Sequence, residues 1–118
     1  MARRDERARI PLPQGALELL LLRTLTRGAQ HGYAIAQQVQ RKSGEALQIE
    51  EGSLYPALHR MERRGWVESE WGVTDTGRRA KFYALTRDGR KRLETERKAW
   101  ERMTSAVGLV LRGRGAEA

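Results

Sequence analysis

The chain has 118 residues, 39% of them apolar and 32% charged, enough for one small-cored domain and one further element for assembly. Its 23 Lys and Arg against 15 Asp and Glu leave a net charge of +8, a field that draws polyanions without dictating a fold. The absence of cysteine excludes disulfides and thiolate metal sites, and the longest apolar run, Ala16 to Leu22, contains Glu18 and falls far short of the roughly 20 residues that cross a bilayer.

The first residues, Met1-Ala2-Arg3-Arg4-Asp5-Glu6-Arg7, are charged and lead into no long apolar stretch. A secretory signal is therefore not expected, and the cytoplasm is the default compartment. Residues 1–11 read as a flexible basic arm ending at Pro11. A first helix is expected from Gln14 to about Arg27, with Leu17, Leu20, Leu21, Thr24 and Leu25 on one face and Leu19 and Leu22 widening it. Gly28 stops it, and Gly28-Ala29-Gln30-His31-Gly32 reads as a short turn.

A second helix follows from Tyr33 to Lys42, with Ile35, Ala36 and Val39 inward and Gln37, Gln38 and Arg41 outward, ended by Ser43-Gly44. Residues 46–49 form a brief extended connector. The third helix is expected to begin near Gly52 or Ser53, because Pro56 is comfortable only in a first turn, where no backbone donor is needed. Leu54, Ala57, Leu58 and Met61 make its buried stripe, and Gly65 closes it. Val67 to Trp71 and Lys81 to Leu85 read as two strands joined by a loop over residues 72–79, too long for a tight two-residue turn. Thr86 is a good N-cap for a final helix, Asp88 suits its first turn, and the helix can run to about Leu111 before Arg112-Gly113-Arg114-Gly115 frays it.

Three helices, a hairpin and a long helix make the expected fold mainly α with a small β-hairpin, a winged helix-turn-helix over residues 12–86. Residues 87–111 form a C-terminal dimerisation helix and residues 112–118 a disordered tail.

On the third helix Tyr55, His59 and Arg63 fall at i, i+4 and i+8, one outer stripe flanked by Ser53, Arg60 and Arg64. Phosphate contacts need arginines or small hydroxyls, and base reading needs side chains that reach a groove edge; this helix carries both. The alternative is an ordinary solvated face. The hairpin adds Arg78, Arg79 and Lys81, suited to a phosphate backbone or a minor groove, although Glu68, Glu70 and Asp75 dilute the charge.

On the last helix Leu93, Trp100 and Val107 recur every seven residues with Met103 and Val110 interleaved, a seam broken by Glu96 that fits a homodimer interface. Packing onto the first helix is the competing use of that face. Two copies of Trp100 across a dyad could also sandwich a small planar aromatic effector, although a tryptophan simply filling the interface is the plainer reading. His31 and His59 form no triad, and no nucleophile elbow, phosphate loop or metal-spaced carboxylate cluster is present, so neither catalysis, metal nor cofactor is expected.

Leu17-Glu18-Leu19-Leu20-Leu21-Leu22-Arg23-Thr24-Leu25, His31-Gly32-Tyr33-Ala34-Ile35, Glu50-Glu51-Gly52-Ser53-Leu54-Tyr55-Pro56-Ala57-Leu58 and Arg79-Ala80-Lys81-Phe82-Tyr83-Ala84-Leu85-Thr86 together resemble the PadR family of bacterial transcriptional regulators. The likeness covers about residues 13–95, and the remainder resembles the small branch with a single C-terminal helix. It implies a homodimeric winged-helix repressor of double-stranded DNA, released by a small molecule or another signal. It puts Ser53, Tyr55, His59, Arg60 and Arg63 in the major groove, Arg78, Arg79 and Lys81 at the adjacent backbone or minor groove, and Tyr33 near the DNA, packing beneath the third helix being the equal alternative for Tyr33. A basic RNA-associated protein and a winged-helix protein–protein adaptor are the alternatives.

Overall fold

Leucine at five of the six positions from 17 to 22 gives the first helix an apolar surface on most sides, and the fold uses it. In the computed structural model, which describes residues 12–113, α1 spans Gln14–Thr24. Leu17, Leu21 and Leu22 are buried in it, and Leu20 packs at the margin of the same core. The expected continuation to Arg27 is a tighter 3-10 turn, Leu25–Arg27, ended by Gly28 at φ 135°.

The expected turn over residues 28–32 contains a strand. β1, Gln30–His31, pairs antiparallel with residues far along the chain, Gln30 with Tyr83 and His31 with Phe82. Two residues carry no periodicity of their own, so this strand exists only through its partner. Gln38, expected outward, is half-buried beside it: its amide donates to Gln30, whose own Nε2 donates to the Thr24 carbonyl at 3.0 Å. β1 is thereby tied to the end of α1.

α2 spans Gly32–Lys42 with Ile35 and Val39 buried, and its N-terminus is capped by His31, whose Nδ1 accepts from the Ala34 amide at 3.4 Å. α3 spans Glu51–Arg63, starting ahead of the expected position, so Pro56 lies in the second turn. Its missing N–H leaves the Gly52 carbonyl without the usual helical donor. Both residues are exposed, so water can satisfy that carbonyl. The stripe of Leu54, Ala57, Leu58 and Met61 is buried as its spacing implies.

β2, Val67–Val73, and β3, Arg79–Leu85, pair from Val67 opposite Leu85 out to Val73 opposite Arg79, and the sheet order is β1-β3-β2. Each strand is two residues longer than its expected span, and the connection shrinks to residues 74–78. There the Thr74 amide donates to the Arg78 carbonyl at 2.8 Å and Gly77 supplies φ 84°. Arg79 therefore sits in a strand and not in the loop. The extra pairs run past the core into solvent, where apolar alternation no longer marks a strand.

α4 spans Arg87–Arg112, one residue beyond the expected end, with Gly113 as a left-handed cap. Thr86 is its N-cap as expected: Oγ1 accepts from the Gly89 amide at 3.0 Å and donates to the Gly65 carbonyl at 2.6 Å, while the Thr86 amide donates to the Trp66 carbonyl at 3.0 Å. Gly89 is the buried residue of this helix, and a Cβ there would stand 2.0 Å from the Trp66 carbonyl oxygen. Glycine is what lets α4 leave the hairpin so closely. Thr86→Ala should cost about 1–2 kcal/mol, read as a lowered thermal midpoint with unchanged helical content below it.

Leu93, expected in the dimer seam, is partly buried against the domain's own core, on the stretch where α4 packs along α1. That residue therefore serves its own domain's core, the competing use of this face. From residue 99 to 107 every side chain of α4 is exposed. The arrangement is a winged helix-turn-helix, α2 and α3 followed by the β2–β3 wing, with a projecting helix. The arm over residues 1–11 and the tail beyond residue 113 lie outside the described residues.

Candidate nucleic-acid interface

The buried stripe of α3 turns the opposite face outward, and Ser53, Tyr55, His59 and Arg63 are all exposed on it. Tyr55 is still 40% exposed although its ring lies against the start of α2: a Cβ at Gly32 would come 2.7 Å from its hydroxyl. Gly32 thus admits the phenol ring between the two helices and fixes its direction. Tyr33, next along α2, is 63% exposed and does not pack beneath α3; its hydroxyl accepts from Gln37 Nε2 at 3.0 Å.

Arg60 departs from the rest. Its Nε donates to Glu18 Oε2 at 3.3 Å, and both side chains are largely covered. It therefore faces α1 on the flank of the recognition helix and ties the two together.

The wing is held at a fixed angle to α3 by Ser69, whose hydroxyl donates to Glu62 at 2.7 Å. Tyr83 is 2% exposed beneath this contact. Its hydroxyl is held above the usual phenol range by burial first, then by Glu62 and Tyr55, so this floor of the site stays neutral. Further out, Arg79 stacks over the Trp71 indole with its guanidinium carbon 4.7 Å from the ring centroid, and Lys81 Nζ lies 6.0 Å from the same ring. A second cationic pair, Arg64 at 5.2 Å and Arg92 at 4.8 Å, brackets Trp66 at the base of the wing and leaves Arg64 engaged there.

These elements enclose an open groove of about 1060 Å³. Tyr33, Tyr55 and His59 line one side, and Arg78, Arg79, Lys81 and Trp71 the other. Six of the nine residues picked from the sequence thus meet in one concavity; Ser53 and Arg63 extend the α3 face beyond it, and Arg60 is diverted to Glu18. Trp71 is the large aromatic of the groove that sequence reasoning misses, alongside polar lining residues such as Gln37, Thr74 and Thr76. The signal for Trp71 is the alternation Val67, Ser69, Trp71, Val73, which sets it on the face that also holds the buried end of β2.

Along the projecting part of α4, Trp100 is 40%, Met103 49%, Val107 46% and Val110 79% exposed. Leu109 and Leu111 are exposed as well, apolar positions outside the sevenfold spacing. Glu96, which breaks that spacing, pairs with Arg92 at 2.6 Å. Arg97 pairs with Glu94 and with Glu101, and its hydrogen bond holds the Glu94 carboxyl below the usual carboxylate range. The shallow depression here is walled by Met103, Ala106 and Leu109, among others, and not by Trp100. Among the described residues no helix is long and apolar enough to cross a membrane.

Residues 21–95, which hold the groove and the start of α4, match the family described as "Transcriptional regulator PadR-like family". The chain is 33% identical over 94 residues to a transcriptional regulator of Mycobacterium tuberculosis, covering 80% of this chain and 84% of that protein. It is similar to a solved PadR family transcription regulator from hypervirulent Clostridium difficile, with a TM-score of 0.70 and 30% identity over 80% of this chain and 97% of that one. A PadR-like transcriptional regulator from Bacillus cereus also has a TM-score of 0.70, with 26% identity over 83% of this chain and 93% of its own. The family match and the shared architecture agree with the groove: this chain belongs to the PadR-like family of transcriptional regulators.

Proposed function

We propose that the protein is a homodimeric, cytoplasmic repressor that binds a palindromic operator in double-stranded DNA and is released by a small molecule or another signal. The observation that carries this is the groove, where one wall of aromatic and polar side chains on α2 and α3 faces a second wall of Arg78, Arg79 and Lys81. Such a pairing suits a recognition helix in a major groove, with the wing on the adjoining backbone. Ser53, Tyr55, His59 and Arg63 read base edges and nearby phosphates, Tyr33 stands at the edge of the contact, and Arg60 sets the height of α3 through Glu18. The exposed face of Trp100, Met103, Val107 and Val110 supports pairing of two copies, which presents two recognition helices. A planar aromatic effector held between two copies of Trp100 is one such signal, a tryptophan simply filling the interface being the plainer use; quenching of Trp100 fluorescence by a panel of planar cationic and phenolic compounds tells the two apart.

The test is selection of genomic fragments by the purified protein, beginning with its own upstream region. Enrichment of a palindromic sequence is expected. Tyr55→Ala should shift the preferred bases at one position of each half-site by about 1–3 kcal/mol while leaving the salt dependence of binding near the parent's. Affinity for structured RNA equal to that for duplex DNA, or binding blind to sequence at physiological salt, would remove the proposal.

A further inference from the structure

The period-two alternation of β2 puts Val67, Ser69, Trp71 and Val73 on one face of the wing and Glu68 and Glu70 on the other. The first half of that face is covered: Val67 is 2% exposed, and Ser69 is bonded to Glu62 of α3. The second half is open, with Trp71 57% and Val73 68% exposed. A large indole left more than half exposed, with only the cationic side chains of Arg79 and Lys81 against it, calls for a partner outside the domain.

Its surroundings specify the occupant. Trp71 faces Lys81 across the ribbon, carries the Arg79 guanidinium on its ring, and lines the same groove as Tyr55 and His59. Among the residues lining that groove the one acid, Asp75, is outnumbered by Arg78, Arg79 and Lys81. A cationic cradle with an apolar ring in it matches an alternating polymer of anions and apolar rims, which is what a deoxyribose–phosphate strand presents.

We infer that Trp71 is a DNA-contacting residue whose indole packs on the deoxyribose rim of the backbone while Arg79 and Lys81 take the phosphates on either side. This rests on the operator-binding function proposed above and adds to it an apolar, sequence-independent contact. An apolar contact displaces no counterions, which separates it from the arginines beside it.

Trp71→Ala should lower affinity about tenfold for operator and unrelated duplexes alike, with the salt slope unchanged, whereas Trp71→Phe should stay within about threefold of the parent. In a Trp66→Phe/Trp100→Phe background Trp71 is the remaining tryptophan of the three in the chain, and duplex should shield it from acrylamide. Should that variant fail to fold, the difference in quenching between the parent and Trp71→Phe gives the same quantity. Parent-like affinity in Trp71→Ala, full acrylamide access in the complex, or a salt slope reduced by about 0.9, as loss of one phosphate-bound cation would give, would overturn the contact, the last because the ring would then only position Arg79. A parent protein that binds no duplex would fail at the earlier step and is told apart by that result.

Discussion

Reversing both charges at the wing tip, Arg78→Glu with Arg79→Glu, should weaken binding to any duplex by about 10²–10³-fold at physiological salt. Both side chains are exposed, and both line the groove opposite α3. Removing one phosphate-bound cation should reduce the slope of log affinity against log salt by about 0.9, so the pair should reduce it by about 1.8. Folding should be nearly untouched. Arg79 gives up its stacking on Trp71, worth about 0.5–1 kcal/mol at an exposed site, and Arg78 makes no side-chain ion pair among the described residues. Fluorescence anisotropy over a salt series reads both quantities. An unchanged slope would take the wing off the DNA.

The second large effect is on assembly. Trp100→Glu with Val107→Glu places four carboxylates across the proposed pairing of two α4 helices, where each large apolar side chain is worth about 1.5–3 kcal/mol when fully buried. These residues are 40% and 46% exposed in the single chain, so the substitutions should leave its melting unchanged. Sedimentation at micromolar concentration should show monomers in place of dimers, and operator affinity should fall by more than about 10²-fold as the second half-site goes unused. A variant that still sediments as a dimer would move the interface elsewhere. Leu93→Glu should act differently: that residue packs on its own core, so substitution there lowers the stability of the monomer itself.

What is legible in the chain is whatever repeats within one element. The buried stripe of α3, the cap at Thr86 and the outer row of Tyr55, His59 and Arg63 follow from local spacing and local hydrogen bonds, and the structure has them. What is not legible depends on partners far along the chain. β1 is two residues paired with β3, and Arg60 points to Glu18, 42 positions earlier, a choice no spacing within α3 reveals. Leu93 fits a sevenfold seam and a packed helix equally well, and its packing on the domain's own core shows only in the course of α4 along α1. The wing is longer than its sequence suggests because its outer pairs, Gly72 with Ala80 and Val73 with Arg79, show no apolar alternation once the ribbon leaves the core. Trp71 lies within the expected strand, but that it lines the same groove as Tyr55 and His59 depends on the packing of the wing against α3.

The groove between α3 and the wing, presented twice by the proposed dimer, is tested most directly by hydroxyl-radical footprinting of the protein on a selected fragment. Two protected stretches related by a dyad are expected, their centres one helical turn or a whole number of turns apart, about 34–36 Å for one turn. Each should carry an outer protected backbone segment that disappears when Arg78 and Arg79 are reversed. A single unpaired footprint, or an outer segment that survives the reversal, would contradict the arrangement.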